Sequence, residues 1–508
     1  MTVPESATGS ATGSATGSAT GSANESVAES VAAWLAATKA DDVPAEAVDA
    51  AQKLFLDVAG LCIAARRERY VTATLSTTDP ATDAATDAGA DAGGKAGGKA
   101  GRKVGRNPGT VRDGRCTALG HAGGFDAFGA ALVNGTAAHG EDFDDTFEGG
   151  PVHSGAVIVP AVLAACEREG LGGERLLVGV VSGVELLCRL SLVAPMATHN
   201  AGFHPTAVFG ALAAAGAVGA ALRMPPAEIT SALGIAGSMA SGIIEYLAEG
   251  TWTKRMHAGW AAQSGLRAAL MARGGFVGPR TVFEGTHGVY RAFASSVTPD
   301  FSKLLDGLGS RWVMPAVAFK PYACGTMTQP FIDCAIQLAE AGVRAEEVTD
   351  IVCEVAAGTV PRLWEPLTSK HRPPTPYAAK FSTPFCMAVG FLERKAGLGQ
   401  FTEARIQDPA VLALAGKIRY EVDPANEYPR KFTGHLRATL RDGSRKDIRQ
   451  TYLRGGAEAP LSTEELEQKF MDNAHYGGWT AGQIERLLRA SRELFRQPTL
   501  DMLKECRA

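Results

Sequence analysis

Close cysteine pairs are missing from this sequence, although it contains nine cysteines. They stand apart, without the short spacings of a zinc site, at Cys62, Cys116, Cys166, Cys188, Cys324, Cys334, Cys353, Cys386 and Cys506. Several lie within apolar runs, where a reduced thiol packs like a small hydrophobic group. The N-terminus also lacks a basic segment followed by an apolar core, so no signal peptide is visible. We therefore expect a reducing, cytoplasmic setting.

A large excess of charge and a strongly apolar span are absent too. The formal net charge is −4 and the pI is near 6.2, which gives no reason to expect a nucleic acid partner. Residues 205–224 approach membrane-spanning length, but they are mostly alanine and glycine, whose transfer energies are weak. We expect a buried core helix there and no membrane partner. A content of 45% hydrophobic and 20% charged residues is typical of a globular protein with two or three domains.

Two stretches of low complexity interrupt the chain. Four ATGS repeats fill residues 7–22, and such small polar residues cannot bury enough apolar surface to offset the entropy of ordering. Residues 1–24 are therefore expected to be a disordered tail. Residues 76–107 are acidic first and basic afterwards, which favours a solvated loop insertion.

The remaining pattern predicts a mainly α fold with an inserted α+β domain. Helical periodicity and long runs of small residues predict a tightly packed helical domain over residues 25–312. Residues 313–455 are predicted to form a smaller α+β lid domain, with a strand near 348–356 and a hairpin near 435–452 that turns at Asp442-Gly443. Residues 456–508 are predicted to return to the helical domain as helices, with Ser462 or Thr463 as the first N-cap.

The densest chemistry lies in residues 139–154, which contain two histidines, three aspartates and a threonine before an apolar helix. Because the first-turn amides of a helix are unsatisfied and favour negative charge, this stretch predicts a small-anion site. His204 precedes another helix, Lys254 and His257 open a third, and Lys320 begins the inserted domain. Single residues of this kind are usually caps or solvated groups. Their recurrence at helix ends predicts that they line a cleft between the two domains.

Five blocks in this order resemble the MmgE/PrpD family. They read HGEDFDDT, HSGAVIVPAVLAACE, GFHPTAVFGALAAAGAVGAAL, TKRMHAGWAAQSGLRAALMARGGFVGP and KPYACG. The family includes 2-methylcitrate dehydratase, cis-aconitate decarboxylase and iminodisuccinate epimerase. The resemblance covers residues 26–500 without the insertion. It implies a helical domain with an α+β lid, a homodimer, and no requirement for a metal or an organic cofactor.

The resemblance also implies which residues surround a di- or tricarboxylate substrate. The predicted catalytic residues are His153, His204 and Lys254, and the predicted substrate-binding residues are Asp142, Thr146 and Lys320. We add His257 to the substrate-binding residues because its spacing places it on the same helix face as Lys254. The reactions of the family share the removal of a proton beside a carboxylate, which creates an enediolate that cations must stabilise. We predict that His153 moves the proton with Asp142 orienting an imidazole, and that protonated His204 joins the two lysines. Lys254 is expected to tolerate substitution like a surface residue.

The sequence leaves the reaction open. The family's decarboxylases resemble one another in a histidine shortly after the lid lysine, whereas this chain has Cys324-Gly325 there. This departure favours a hydro-lyase, with an amino-dicarboxylate epimerase next, a cis-aconitate-type decarboxylase after it, and a non-catalytic scaffold as a further alternative. A magnesium-dependent prenyl enzyme would need a second acidic cluster, which the sequence lacks.

Overall fold

The computed structural model describes residues 25–78 and 114–507. The predicted tail and most of the predicted insertion lie outside these residues. The N-terminal part is built from helices. They are α1 Val27–Ala37, α2 Ala45–Ala65, α3 Arg69–Leu75, α4 Ala127–His139, α5 Gly155–Glu169, α6 Gly173–Val193, α7 Ala197–Asn200, α8 Pro205–Ala221, α9 Pro226–Met239, α10 Tyr246–Glu249, α11 Thr253–Arg273, α12 Val289–Phe293 and α13 Ser302–Leu305. The predicted core helix near 205–224 is therefore α8, every residue of which is buried.

Small residues set the distance between α4 and α11. A Cβ atom added at Gly135 would lie 2.5 Å from the Cα of Gly259, and one added at Gly259 would lie 2.2 Å from the Leu132 carbonyl oxygen. Neither helix could come this close with a larger residue at the contact. The contact brings the C-terminal end of α4, at His139, beside the N-terminal end of α11, at Lys254. Both ends contribute to the candidate site.

Helix α6 fixes the segment that leads to the lid. It is the one described helix that is long and apolar enough to span a membrane, but 94% of its apolar window is buried inside the protein. It also contains an ion pair, in which Arg189 Nε lies 2.6 Å from Glu185 Oε1. Arg189 donates further hydrogen bonds to carbonyl groups of residues 303–311, and Glu185 accepts the amides of Val313 and Met314. We therefore interpret α6 as a core helix that anchors the domain connection.

A four-stranded sheet with helices forms the second part of the molecule. The helices are α14 Gln329–Glu340, α15 Val360–Leu363, α16 Leu367–His371, α17 Pro376–Ala379, α18 Thr383–Glu393 and α19 Pro409–Ala415. The strands of the described residues are β1 Thr146–Phe147, β2 Val317–Ala318, β3 Val348–Val355, β4 Ile418–Val422, β5 Gly434–Leu440 and β6 Arg445–Gln450. The sheet order is β4-β3-β5-β6, with β3 and β4 parallel and the other pairs antiparallel. The predicted strand and hairpin are thus β3 and β5–β6. Gly443 takes the positive φ of 82° that the turn requires.

The chain then returns to the helices of the N-terminal part. Helix α20, Thr463–Tyr476, begins with a capping box in which Ser462 and Glu465 satisfy each other's backbone amides, and α21, Ala481–Glu493, follows it. Helix α20 packs on α2, where Lys469 Nζ lies 2.7 Å from Asp57 Oδ1. The two-stranded ladder β1–β2 joins the residues after Asp142 to those before Lys320. The expected mainly α fold with a smaller α+β domain is confirmed.

Candidate active site

A cavity of about 450 Å³ lies where the loop after α4 meets the second domain. Its wall includes five of the seven predicted site residues, which are Asp142, Thr146, His153, Lys254 and Lys320. The contact that closes the largest sequence gap is direct, since Lys320 Nζ donates to the Asp142 carbonyl oxygen at 2.9 Å across 178 positions. The remaining wall comes from residues 147–151, from the segment that leads into α7, and from α7 and the lid, including His199, Gly325, Arg362, Phe381, Tyr428 and Arg430. The predicted residues therefore converge, apart from His204 and His257.

Asp142 is the residue through which the loop, α11 and the lid meet. Its backbone has φ of 54°, a left-handed conformation that aspartate tolerates better than most residues. Lys254 Nζ donates to Oδ1 in a short ion pair, and the Tyr377 hydroxyl donates to Oδ2 at 2.7 Å. Burial by itself would raise the pKa of Asp142, but the charges of Lys254 and Lys320 outweigh burial and hold it well below its usual value. Asp142 is therefore a fixed anion that positions Lys254.

His153 is held neutral in one tautomer. Its Nδ1 lies 2.7 Å from the Asp145 carbonyl oxygen, which can only accept, so Nδ1 carries the proton. Its Nε2 then keeps a lone pair and has no hydrogen-bond partner within the described chain. Burial lowers the pKa of His153 to about 3, although the nearby Asp144 opposes this shift. His153 is 12% exposed in the cavity wall, and its Nε2 lone pair is available as a hydrogen-bond acceptor.

Asp144, and not Asp142, is the carboxylate beside the imidazoles. One Asp144 oxygen lies 2.7 Å from His139 Nδ1, and the other lies 3.6 Å from His153 Nδ1. The same oxygen is 3.8 Å from Lys320 Nζ. The prediction that Asp142 orients a histidine is therefore wrong, because its oxygens are taken by Lys254 and Tyr377. In sequence the two aspartates are only two positions apart, and the pattern did not distinguish them.

The first-turn amides of α5 do not point to a free anion site either. The Asp145 carboxylate accepts the amides of Ser154 and Gly155 at 2.8 and 2.9 Å, and the Ser154 hydroxyl at 2.8 Å. Burial and the nearby Asp144 raise the pKa of Asp145 to about 7 despite these bonds. The protein's own carboxylate thus occupies the position that the sequence predicted for a ligand. Positive charge for a substrate comes from the lysines instead.

His204 and His257 lie behind the cavity wall. Their Nδ1 atoms are 3.2 Å apart, and the His204 ring stacks on His139 with 5.4 Å between ring centroids. His257 lines a separate cavity together with Tyr246 and Trp260, and not the cavity that contains the other predicted residues. Burial, together with the positive charge of neighbouring histidines and Lys254, lowers the pKa of His204 well below its usual value. The prediction of a protonated His204 is therefore wrong near neutral pH.

Lys254 is not the surface residue that its place at a helix start suggested. It is only 5% exposed, because α4 and the lid cover the first turn of α11. Burial lowers its pKa, and the ion pair with Asp142 opposes that shift. Its ammonium group also lies 5.8 Å from the centre of the Phe381 ring. The premise that Lys254 is a surface residue is therefore wrong, and we now expect its substitution to leave Asp142 buried without its partner.

Three groups in this region are close enough for a cation. Ligand atoms of His139, Asp144 and His153 lie within 4.8 Å of one another. However, His139 and Asp144 are already bonded to each other, and Lys320 places a positive charge 3.8 Å from the second Asp144 oxygen. A metal ion would have to displace the hydrogen bond between His139 and Asp144 and would be repelled by the charge of Lys320. The donor set fits a hydrogen-bonded cluster better than a metal centre.

A latch between the domains was missed in the sequence. Lys380 Nζ donates to the carbonyl and carboxylate oxygens of Glu141, and Arg255 donates to the same carboxylate at 3.2 Å. The Arg255 guanidinium lies 4.3 Å from the ring centres of both Tyr70 and Tyr377. This latch, formed by Glu141, Lys380, Arg255, Tyr70 and Tyr377, adjoins Asp142. No pattern in the sequence pairs its members, because they come from four separate segments.

Comparison with known proteins agrees with this architecture. The profile of the MmgE/PrpD N-terminal domain matches residues 88–302, and that of the MmgE/PrpD C-terminal domain matches residues 322–492. The chain belongs to the MmgE/PrpD family. The resemblance seen in the sequence is thereby confirmed.

Several relatives carry the same name, cis-aconitate decarboxylase. The human protein is 31% identical over 68% of this chain and 72% of its own length, and the mouse protein is 29% identical over 68% and 71%. A protein from Aspergillus terreus is 24% identical over 86% of this chain and 87% of its own length. Family membership and these relatives together support a lyase-type action on a polycarboxylate.

Proposed function

We propose that this protein is a hydro-lyase that acts on a small polycarboxylate by removing a proton from the carbon beside a carboxylate. The observation that carries the proposal is the neutral His153, whose Nδ1 is bonded to the Asp145 carbonyl oxygen and whose Nε2 is free to accept a proton. Elimination of water begins with such a transfer to a base. Decarboxylation instead needs a donor that protonates the carbanion after carbon dioxide leaves.

The two lysines of the wall have a matching role. The proton leaves its carbon for His153 Nε2, and the electron pair spreads onto the adjacent carboxylate as an enediolate. Lys254 and Lys320 stabilise that extra charge. Electrostatic stabilisation of this kind is usually the largest single contribution to the rate enhancement of an enzyme. The carbon–oxygen bond to the neighbouring hydroxyl then breaks, a carbon–carbon double bond forms, and water leaves with a proton from Lys254. A bound polyanion raises the basicity of His153, since negative charge favours its protonated form.

Turnover in deuterated water tests this proposal. The pure protein is incubated with 2-methylcitrate, citrate, cis-aconitate and iminodisuccinate, and products are followed by NMR. A hydro-lyase loses water from a hydroxy acid, or adds water and one deuteron to the unsaturated acid. Exchange at one carbon without net conversion would indicate an epimerase instead. No conversion or exchange with any acid would favour the scaffold alternative and end the proposal.

A cis-aconitate-type decarboxylase is the second candidate. It is supported by the names of the human, mouse and Aspergillus relatives. Against it stands the absence of a histidine after Lys320, where Cys324 is buried and Gly325 lines the cavity. Release of carbon dioxide from cis-aconitate, without formation of a hydroxy acid, would replace the first proposal by this one.

We further propose a homodimer that pairs through the exposed face of α11 and its flanking residues. Eight of the twelve large exposed hydrophobic side chains in the described structure fall within residues 243–277, among them Met256 and Trp260 one turn apart. An apolar patch of this kind is typical of a subunit interface. Trp260→Glu should therefore convert a dimer to a species of 52.9 kDa in light scattering. Tyr452→Glu, at an exposed aromatic in the lid, is the control. A parent that is monomeric at micromolar concentration would contradict the proposal. We keep the reducing cytoplasm as the proposed setting, because none of the eight buried cysteines between Cys62 and Cys386 forms a disulfide.

A further inference from the structure

Arg362 differs from the other cations in the cavity wall. Lys254 is paired with Asp142, Lys320 with the Asp142 carbonyl and Asp144, and Arg430 with Glu427. Arg362 also lines the cavity, yet it forms no ion pair and its side chain donates no hydrogen bond to any described residue. Its Nε atom is buried without a partner. A buried guanidinium donor left in this state is costly unless a ligand satisfies it.

The surrounding structure holds Arg362 in place. Its guanidinium carbon lies 5.3 Å from the centre of the Phe381 ring. Lys370 Nζ donates to the carbonyl oxygens of Arg362 and Phe381, at 2.6 and 2.8 Å, and so ties the two segments together. Trp364, two positions after Arg362, is fully buried. Arg362 is therefore positioned by the lid in the wall of the cavity.

The separation of Arg362 from Lys254 has an upper bound that leaves room for one small acid. Lys254 and Arg362 both lie over the Phe381 ring, at 5.8 and 5.3 Å from its centre, so their charges are at most about 11 Å apart. A hydrogen bond takes up about 3 Å at each end, which leaves at most about 5 Å for the ligand itself. A four- to six-carbon acid with carboxylates at both ends spans such a distance. Arginine is suited to the distal group, because its planar fork binds a carboxylate through two parallel hydrogen bonds.

We infer that Arg362 is the specificity-determining residue of this site and binds the carboxylate distal to the reacting carbon. The inference rests on the proposed function for the assignment of the reacting end at Lys254. Substrates are then polycarboxylates whose second acid group lies at the far end of the carbon chain. Monocarboxylic acids lack the group that satisfies Arg362 and should be discriminated against mainly through KM.

A binding cycle tests the inference without requiring turnover. The probes are tricarballylate, which has no hydroxyl group to eliminate, and its terminal monoamide, and binding to the full chain is measured by calorimetry. We expect Arg362→Gln to weaken tricarballylate binding by about tenfold or more, since it removes hydrogen bonds to a charged group. The same variant should bind the monoamide nearly as the parent does. The substitution of Arg362 and the conversion of the carboxylate to an amide remove the same arginine–carboxylate interaction, so their effects do not add. Arg362→Lys should lie between them.

The control is Arg445→Gln, which removes an exposed lid arginine that has no ion pair among the described residues. It should leave both affinities unchanged. The inference is overturned if Arg362→Gln binds tricarballylate as tightly as the parent, if it weakens both probes equally, or if the parent binds neither. Failure of the proposed function looks different: the parent would bind tricarballylate through Arg362 and still convert no hydroxy acid. Circular dichroism and a thermal melt of each variant establish that the fold is retained.

Discussion

The two sides of the cavity treat charge differently. On the side formed by the loop after α4 and the start of α11, every charged group has a partner, and the partners form one chain from Tyr377 through Asp142 and Lys254. On the lid side, Arg362 forms no ion pair and donates no side-chain hydrogen bond to any described residue, and its Nε atom is buried. Paired groups are rigid and already desolvated, which suits chemistry at a fixed carbon. An unpaired arginine suits recognition, since the ligand supplies its partner.

Substitutions on the two sides should therefore affect different kinetic constants. Changes on the paired side should lower kcat, because they remove interactions that strengthen in the transition state. Changes at Arg362 should act mainly on KM. The following variants test the paired side, from the largest expected effect to the smallest.

The largest effect is expected for His153→Gln. Loss of a proton acceptor typically costs between about a hundredfold and ten thousandfold in rate, so kcat should fall by that amount with little change in KM. Steady-state kinetics on the acid found in the deuterium screen measures it. His287→Gln, at an exposed histidine, is the control. A variant with near-parental kcat would remove His153 from the chemistry and leave the paired side without a base.

Lys254→Met should damage both activity and stability. Turnover should fall about a hundredfold or more, since a charge that stabilises the enediolate is lost. Asp142 would also be left buried without its partner, which typically costs about 3–5 kcal/mol in the free energy of unfolding. Urea denaturation measures this cost. The double variant Lys254→Met with Asp142→Asn should recover much of the stability and none of the activity. A single variant as stable as the parent would mean that Lys254 is solvated.

These two residues also mark what the sequence could predict. Helix periodicity, the Asp442-Gly443 turn and the Ser462 cap are local, so their positions follow from neighbouring residues. The convergence of Asp142, His153, Lys254 and Lys320 followed from motif order and the family resemblance. Which carboxylate meets which base did not follow, because Asp142, Asp144 and Asp145 stand within four residues and diverge only through the left-handed backbone at Asp142. Lys254 also packs near Phe381, a lid residue more than a hundred positions away.

Arg362 and Tyr377 show the same limit from the lid side. Arg362 lies in the segment VPRLWEP and Tyr377 in PPTPYAAKF. Neither residue belongs to a periodic pattern or has a polar residue directly beside it. Their importance comes from long-range contacts that only the folded chain creates. A charged residue enclosed by apolar neighbours was the one available signal for Arg362.

Tyr377→Phe tests whether a lid residue can belong to the paired side. It removes a single hydrogen bond to the Asp142 carboxylate, and hydrogen bonds to charged groups contribute about 1.5–3 kcal/mol. We expect kcat to fall about tenfold while KM for the substrate stays within about twofold. Arg362→Gln should show the opposite division on the same substrate. If Tyr377→Phe raised KM alone, the lid residues would serve recognition whether or not they are paired with a charge. The contrast between paired and unpaired groups would then be wrong.

The smallest effect on catalysis is expected for His257→Gln, since His257 lies behind the wall and faces another cavity. Near pH 7.5 the kcat and KM of the variant should stay within about threefold of the parent, and a large rise in KM would instead restore His257 to the substrate site.

The effect of His257→Gln on stability in acid should be clear. Burial lowers the pKa of folded His257 to about 4, whereas an unfolded histidine titrates near 6.5. Between these values the unfolded chain binds the extra proton, so lowering the pH destabilises the parent by up to about 1.4 kcal/mol per pH unit through this residue. His257→Gln should flatten the dependence of the unfolding free energy on pH by that amount between pH 4.5 and 6. Identical slopes would show that this imidazole is already hydrated in the folded protein.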